Sequence, residues 1–122
     1  MTETTLTDGS PVTADHRELK ENGQQKGYVV LSEAERAKGY VRPVRDAYVH
    51  LGKLVDLVND EDEDVGSVRT GGCGTKTTMA MSIAETYARD PKFYSGTFCV
   101  GCGKHLPLNE FVWDGTHEEV GS

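Results

Sequence analysis

Cys99-Val-Gly-Cys102-Gly103-Lys104 sets two thiols two residues apart ahead of a glycine, and Cys73-Gly74 repeats the Cys-Gly half of that turn 26 residues earlier. A CxxCG turn lets both sulfurs point at one ion. Its glycine accepts a backbone conformation that most residues resist and clears room for amide donors to the sulfurs. Lys104 offsets thiolate charge. Structural zinc prefers a closed tetrahedron of thiolate and imidazole ligands. Cys73, Cys99 and Cys102 supply three. Thr70 stands three residues before Cys73, so a second CxxC is incomplete and the fourth ligand must come from elsewhere. Two histidines compete. Removing residues 51–72 would bring His50 almost onto Cys73-Gly74, whereas His105 follows Cys102 so closely that the geometry is awkward. The expected set is His50, Cys73, Cys99 and Cys102 around Zn2+, with His105 as the rival fourth ligand. A redox pair is the competing reading of CxxC, but such pairs open a helix, and Gly103-Lys-His-Leu-Pro107 is a poor helix start.

Sharper chemistry finds little support. A zinc hydrolase needs an open coordination position and a general base. Four protein ligands leave no position open. The deaminase signature needs Glu two residues after the His and Pro before the Cys pair, and residues 52 and 98 are Gly and Phe. A calcium loop beginning at Asp60 would need Gly at its sixth position and Glu at its twelfth. Val65 and Gly71 stand there. The expectation is therefore not an enzyme.

The elements that must position these ligands are short. Tyr28–Leu31 suits a strand. Ser32-Glu-Ala-Glu35 has capping-box spacing and opens a helix of about two turns that Gly39 ends. Tyr40 to His50 suits a second strand, interrupted at Pro43. Leu51, Leu54, Val55 and Val58 fall at helical spacing, ahead of the acidic run Asp60-Glu-Asp-Glu-Asp64, so residues 51–72 read as a short amphipathic helix and an acidic insertion loop. Thr75–Met79 suits a strand, and Ser82-Ile-Ala-Glu85 a second capping box for a helix reaching Arg89. Residues 96–99 lead as a strand into the CxxCG turn, with Phe111–Trp113 expected as the partner strand.

The chain has 122 residues and a formal net charge of −7. Residues 56–65 hold six acidic groups and no basic one, so the remainder is close to neutral. Low pI thus argues only weakly against nucleic acid. Val, Leu, Ile and Phe number 25, too few for a large core. Residues 1–26 are polar and read as a disordered tail, residues 27–113 as the zinc-binding domain, and residues 114–122 as a flexible C-terminus. Below about 70–80 residues a single core rarely supplies more than about 3–5 kcal/mol, so a staple is needed. No signal peptide or membrane span is visible, and clustered thiols suit a reducing, cytoplasmic setting.

At the CxxCG turn and its Cys-Gly counterpart the chain resembles the zinc ribbon class. From Tyr28 through Val112 it also resembles a family of small bacteriophage and prophage proteins that carries no assigned activity. The residues concerned are Arg42-Pro-Val-Arg45, Cys73-Gly-Thr75, Ala84 through Tyr94, and Phe98 to His105. The resemblance implies zinc binding and a mobile-element origin, with the host cytoplasm as the location, and it implies no catalytic residue.

The expected fold is thus α+β, a small zinc ribbon-like domain of short antiparallel strands and two short helices. The expected function is an interaction module engaging a protein partner in a bacterial cell. The second hypothesis is a nucleic-acid-binding zinc ribbon using Arg42 and Arg45, which lie among Tyr40 and Tyr48.

Overall fold

The computed structural model describes residues 3–122, leaving aside the side chain of Asp64. It is a strand-rich α+β arrangement with two helices. The strand Ala47–His50 (β3) lies at the centre of a three-stranded antiparallel sheet, between Lys76–Thr78 (β6) and Phe111–Trp113 (β9). Alternate side chains of a strand face opposite sides. Tyr48 and His50 are the buried pair of β3, and they sit opposite Trp113 and Phe111. One strand therefore delivers both a core aromatic and a candidate ligand.

The strands Gly96–Cys99 (β7) and Lys104–Pro107 (β8) form a hairpin around the CxxCG turn, with Phe98 opposite His105. Phe111–Trp113 is therefore not the partner of residues 96–99, as expected from sequence. The turn returns the chain directly alongside β7, and β9 completes the sheet with β3 instead. Tyr48 ties the two sheets together. Its hydroxyl donates to the Phe98 carbonyl and accepts from the Thr97 hydroxyl at 3.1 Å.

The helix Met81–Arg89 (α2) packs Ala84, Tyr87 and Ala88 inward. It starts ahead of the expected capping box, with Ala80 at its N-cap. Ser82 and Glu85 have other partners: Ser82 donates to the Thr7 carbonyl at 3.3 Å, and Glu85 accepts from Arg36 at 2.5 Å and from Tyr40 at 2.9 Å. The helix Glu33–Arg36 (α1) is a single turn, capped by the Ser32 hydroxyl accepting from the Glu35 amide at 3.3 Å. The core cluster is Tyr48, Tyr87, Cys99, Phe111, Trp113 and Val120. The Trp113 ring meets Tyr48 and Tyr87 edge-on.

Three segments differ from expectation. Within residues 1–26, Met1 and Thr2 lie outside the described residues, but Thr4–Leu6 (β1) pairs antiparallel with Val29–Leu31 (β2). The segment between folds back through turns, with Lys26 donating to the Glu18 carbonyl at 2.8 Å and Gly27 to that of His16 at 3.0 Å. Backbone pairing needs few apolar side chains, and an open strand edge offers donors and acceptors that must be met. Residues 51–72 are not a helix and loop. Gly52–Val58 (β4) and Asp64–Gly71 (β5) form a hairpin of their own. The spacing of Leu51, Leu54, Val55 and Val58 fits a helix, but their β-branched company favours strands, and Val55 finds Val68 directly opposite. Residues 114–122 also return to the body. Glu119 bridges to Val112, the Val120 amide donates to the Phe111 carbonyl at 3.0 Å, and the Val120 side chain is enclosed in the core.

Val120 tests that last correction. Val120→Ala removes two buried carbons, at about 0.8 kcal/mol each plus a cavity cost. Urea unfolding is expected to show a loss of about 1–3 kcal/mol, whereas a frayed terminus would show no change.

Candidate metal centre

Each ligand candidate is placed by a different local rule. His50 ends β3, where strand alternation turns its ring inward. Cys73 sits just before β6 and is anchored to β3: the Gly74 amide donates to the His50 carbonyl at 2.8 Å and the His50 amide to that of Thr75 at 3.3 Å. Cys99 ends β7 and Cys102 lies in the turn, which is closed by the Gly103 amide donating to the Cys99 carbonyl at 2.8 Å. Gly74 and Gly103, each directly after a cysteine, have φ of 72° and 67°. That left-handed conformation is what each Cys-Gly turn needs glycine for.

The result is convergence. One donor atom from each of His50, Cys73, Cys99 and Cys102 lies within 4.8 Å of every other. It is the only such group among the described residues. Sγ of Cys73 and Cys99 are 3.3 Å apart, and Sγ of Cys102 is 3.5 Å from Nδ1 of His50. A disulfide needs about 2.05 Å, and all three cysteines are free. A tetrahedral ion bonded at about 2.3 Å to sulfur and about 2.0–2.1 Å to nitrogen holds its donors about 3.5–3.8 Å apart. The cluster is thus already at metal-binding size, and it could hold a metal ion with little adjustment. Gly101 lets the turn close tightly onto Cys73 and Thr75. A Cβ there would meet Oγ1 of Thr75 at 2.5 Å and Sγ of Cys73 at 2.8 Å. Cys99 and His50 are buried, while Cys73 and Cys102 reach the surface.

Electrostatics points the same way. Hydrogen bonds from Thr75, together with His50 and Cys99, hold the Cys73 thiol down at about 6 against the opposing effect of burial. Loss of water from around the sulfur, which the packed turn shields although the residue reaches the surface, and the neighbouring sulfurs of Cys99 and Cys73 push Cys102 up to about 11. Three crowded sulfurs resist losing all their protons unless a cation compensates them. For His50, burial lowers the pKa, but hydrogen bonds with Glu110 and Cys73 outweigh it and the net direction is up.

Glu110 is the residue that sequence reasoning missed. It ends the 3-10 turn Leu108–Glu110, next to Phe111, which lies opposite His50 in the sheet. Its Oε1 lies 3.0 Å from Nε2 of His50. On the other side of the ring, the Cys73 amide donates to Nδ1 at 3.3 Å. The two contacts assign the proton to Nε2 and leave Nδ1 unprotonated, its lone pair shared between the Cys73 amide and the side on which Sγ of Cys102 lies. A carboxylate behind a ligating histidine fixes tautomer and ring orientation. Only the pairing of β3 with β9 reveals it, because a lone Glu 60 residues from His50 carries no spacing signal.

The other candidates lie elsewhere. His105 is not in the cluster. Its Nε2 meets the Tyr28 hydroxyl at 2.8 Å, and its ring packs edge-on against Phe98. Alternation explains this, since its strand partner is Phe98 and not Cys99. Arg45 forms an ion pair with Glu118 at 2.6 Å and stacks its guanidinium 5.0 Å from the Trp113 ring centroid. Arg42 donates to the carbonyls of Val41 at 2.9 Å and Ser122 at 3.2 Å.

Two substitutions test the division of roles. Glu110→Ala is expected to weaken metal binding about 10- to 100-fold in competition titrations with a chromophoric chelator. His105→Ala is expected to leave affinity and stoichiometry unchanged in the same titrations.

No family model matches the chain, and no curated protein or solved structure is similar to it. None of these comparisons supports the expected likeness to phage and prophage proteins.

Proposed function

We propose that this chain is a non-enzymatic interaction module of zinc ribbon type, phage- or prophage-encoded, that engages a protein partner in the bacterial cytoplasm and is held in shape by one structural Zn2+. The convergence of three sulfurs and one imidazole carries this reading. Soft thiolates with a single imidazole suit zinc, and four protein donors leave no position for water or substrate. The carboxylate nearest the centre, Glu110, is committed to the far nitrogen of His50 and so does not serve as a general base.

Magnitude supports a structural role for the ion. Zinc contributes about 10–16 kcal/mol in small zinc-finger peptides near neutral pH. Whole domains are typically stable by only about 5–15 kcal/mol. An ion here would therefore hold the fold itself. It would clamp β3, the approach to β6 and the β7–β8 turn, three segments that are far apart in sequence. The nucleic-acid alternative gains nothing from Arg45, whose charge is already matched by Glu118 and covered by Trp113.

Elemental analysis of protein purified without chelator is expected to give about one zinc per chain. Cys99→Ser is expected to lose it, and EDTA is expected to abolish the cooperative thermal transition. Protein that is folded and free of metal would overturn the reading.

A further inference from the structure

We infer that the outer face of the β4–β5 hairpin, together with its acidic tip, is the docking surface for a protein that presents an apolar strip flanked by lysine or arginine. The inference rests on the interaction-module reading above and names its surface.

The hairpin leaves the body between two ligand candidates, two residues after His50 and two before Cys73. Paired residues of an antiparallel ladder share a face. Leu54 pairs with Arg69, and the Arg69 guanidinium reaches back to the carbonyls of Gly52 at 3.0 Å and Asn109 at 2.8 Å and to Glu119 at 2.8 Å. Arg69 is therefore turned to the body, while Leu54 beside it stays 54% exposed, so the hairpin stands clear of the body on both faces. By alternation, Val55, Val68 and Leu57 share the opposite face, and these three apolar side chains are 43%, 43% and 44% exposed. Apolar side chains gathered on one outward face of a two-stranded ribbon mark a surface that another molecule covers.

Charge selects that molecule. The carboxylates of Asp56, Asp60, Glu61, Asp62 and Glu63 form no ion pair among the described residues, whereas Arg36, Arg45 and Arg69 are each matched within the chain. The tip is also built. The Asn59 side chain accepts from the amides of Glu61 at 2.9 Å and Glu63 at 3.0 Å, which fixes the acidic turn instead of letting it drift. An ordered cluster of unmatched negative charge beside an apolar strip repels nucleic acid and anionic lipid and steers a basic protein surface into place. A second copy of this chain would bring a like acidic tip.

Two synthetic probes test the assignment: a peptide alternating leucine with lysine and one alternating leucine with glutamate. The Leu–Lys peptide is expected to bind the metal-loaded protein in fluorescence anisotropy, at least tenfold more weakly at 0.5 M salt than at 0.05 M, and the Leu–Glu peptide is expected not to bind. Combined Val55→Ser, Leu57→Ser and Val68→Ser is expected to reduce binding at least tenfold at unchanged zinc content. Combined Asp60→Asn, Glu61→Gln, Asp62→Asn and Glu63→Gln, which leaves the strands intact, is expected to flatten the salt dependence. Unchanged binding by both variants would overturn the surface, as would self-association that the serine variant abolishes. Zinc content measured on the same samples separates the two readings. Full zinc with hairpin-independent binding sinks only the surface, and hairpin-dependent binding without zinc sinks only the metal.

Discussion

The meeting of three sulfurs and one imidazole at a single point is the constraint that organises this molecule. It joins the central sheet, the approach to β6 and the β7–β8 turn, alongside the Val100 amide that donates to the Thr77 hydroxyl at 3.1 Å. The core beside it is a handful of aromatic rings, Cys99 and Val120, and Cys99 belongs to both. Its sulfur faces the cluster while its backbone closes the turn through Gly103. Interior and ligand cluster are therefore parts of one packing unit.

How far this could be read from sequence depends on the range of the signal. The CxxCG turn is a local pattern whose glycine is required by backbone geometry, and it announces Cys99 and Cys102 without help from the rest of the chain. Cys73 and His50 were reachable because each stands beside a recognisable turn or strand. Glu110 was not, because its relation to His50 exists only through the pairing of β9 with β3. The hairpin at residues 52–71 was misread for a related reason. Leu51, Leu54, Val55 and Val58 satisfy a helical period by coincidence, and the deciding facts are the cross-strand pairs, which a linear pattern does not contain. The two ends of the chain were misjudged because composition speaks to side-chain burial alone. β1 is held by main-chain bonds, and the C-terminal segment by one buried valine and a bridge to β9.

Charge is distributed with similar economy. Three arginines are turned onto the chain's own carboxylates, Arg36 onto Glu85 among them. Arg45 meets Glu118 and Arg69 meets Glu119, and between them they fasten the C-terminal segment and the hairpin to the body. The unmatched negative charge gathers at the far end of the hairpin. Of the basic face suggested by Arg42 and Arg45, Arg45 becomes bracing and Arg42 stays exposed, while the densest run of acidic residues lies on an element that the sequence presents as a loop.

The way the hairpin is rooted has a last consequence. Gly52 pairs with Gly71, and a Cβ at Gly52 would strike the Thr70 carbonyl at 1.9 Å, so the neck is pinched too tightly for any side chain. From the arm, Arg69 reaches back to the Asn109 carbonyl and to Glu119, while the Gly74 amide locks the junction of His50 and Cys73 to the His50 carbonyl. The arm is in effect an interchangeable head on a fixed stem. A change of length or charge at the acidic tip would therefore fall outside the contacts that place the anchor beneath it.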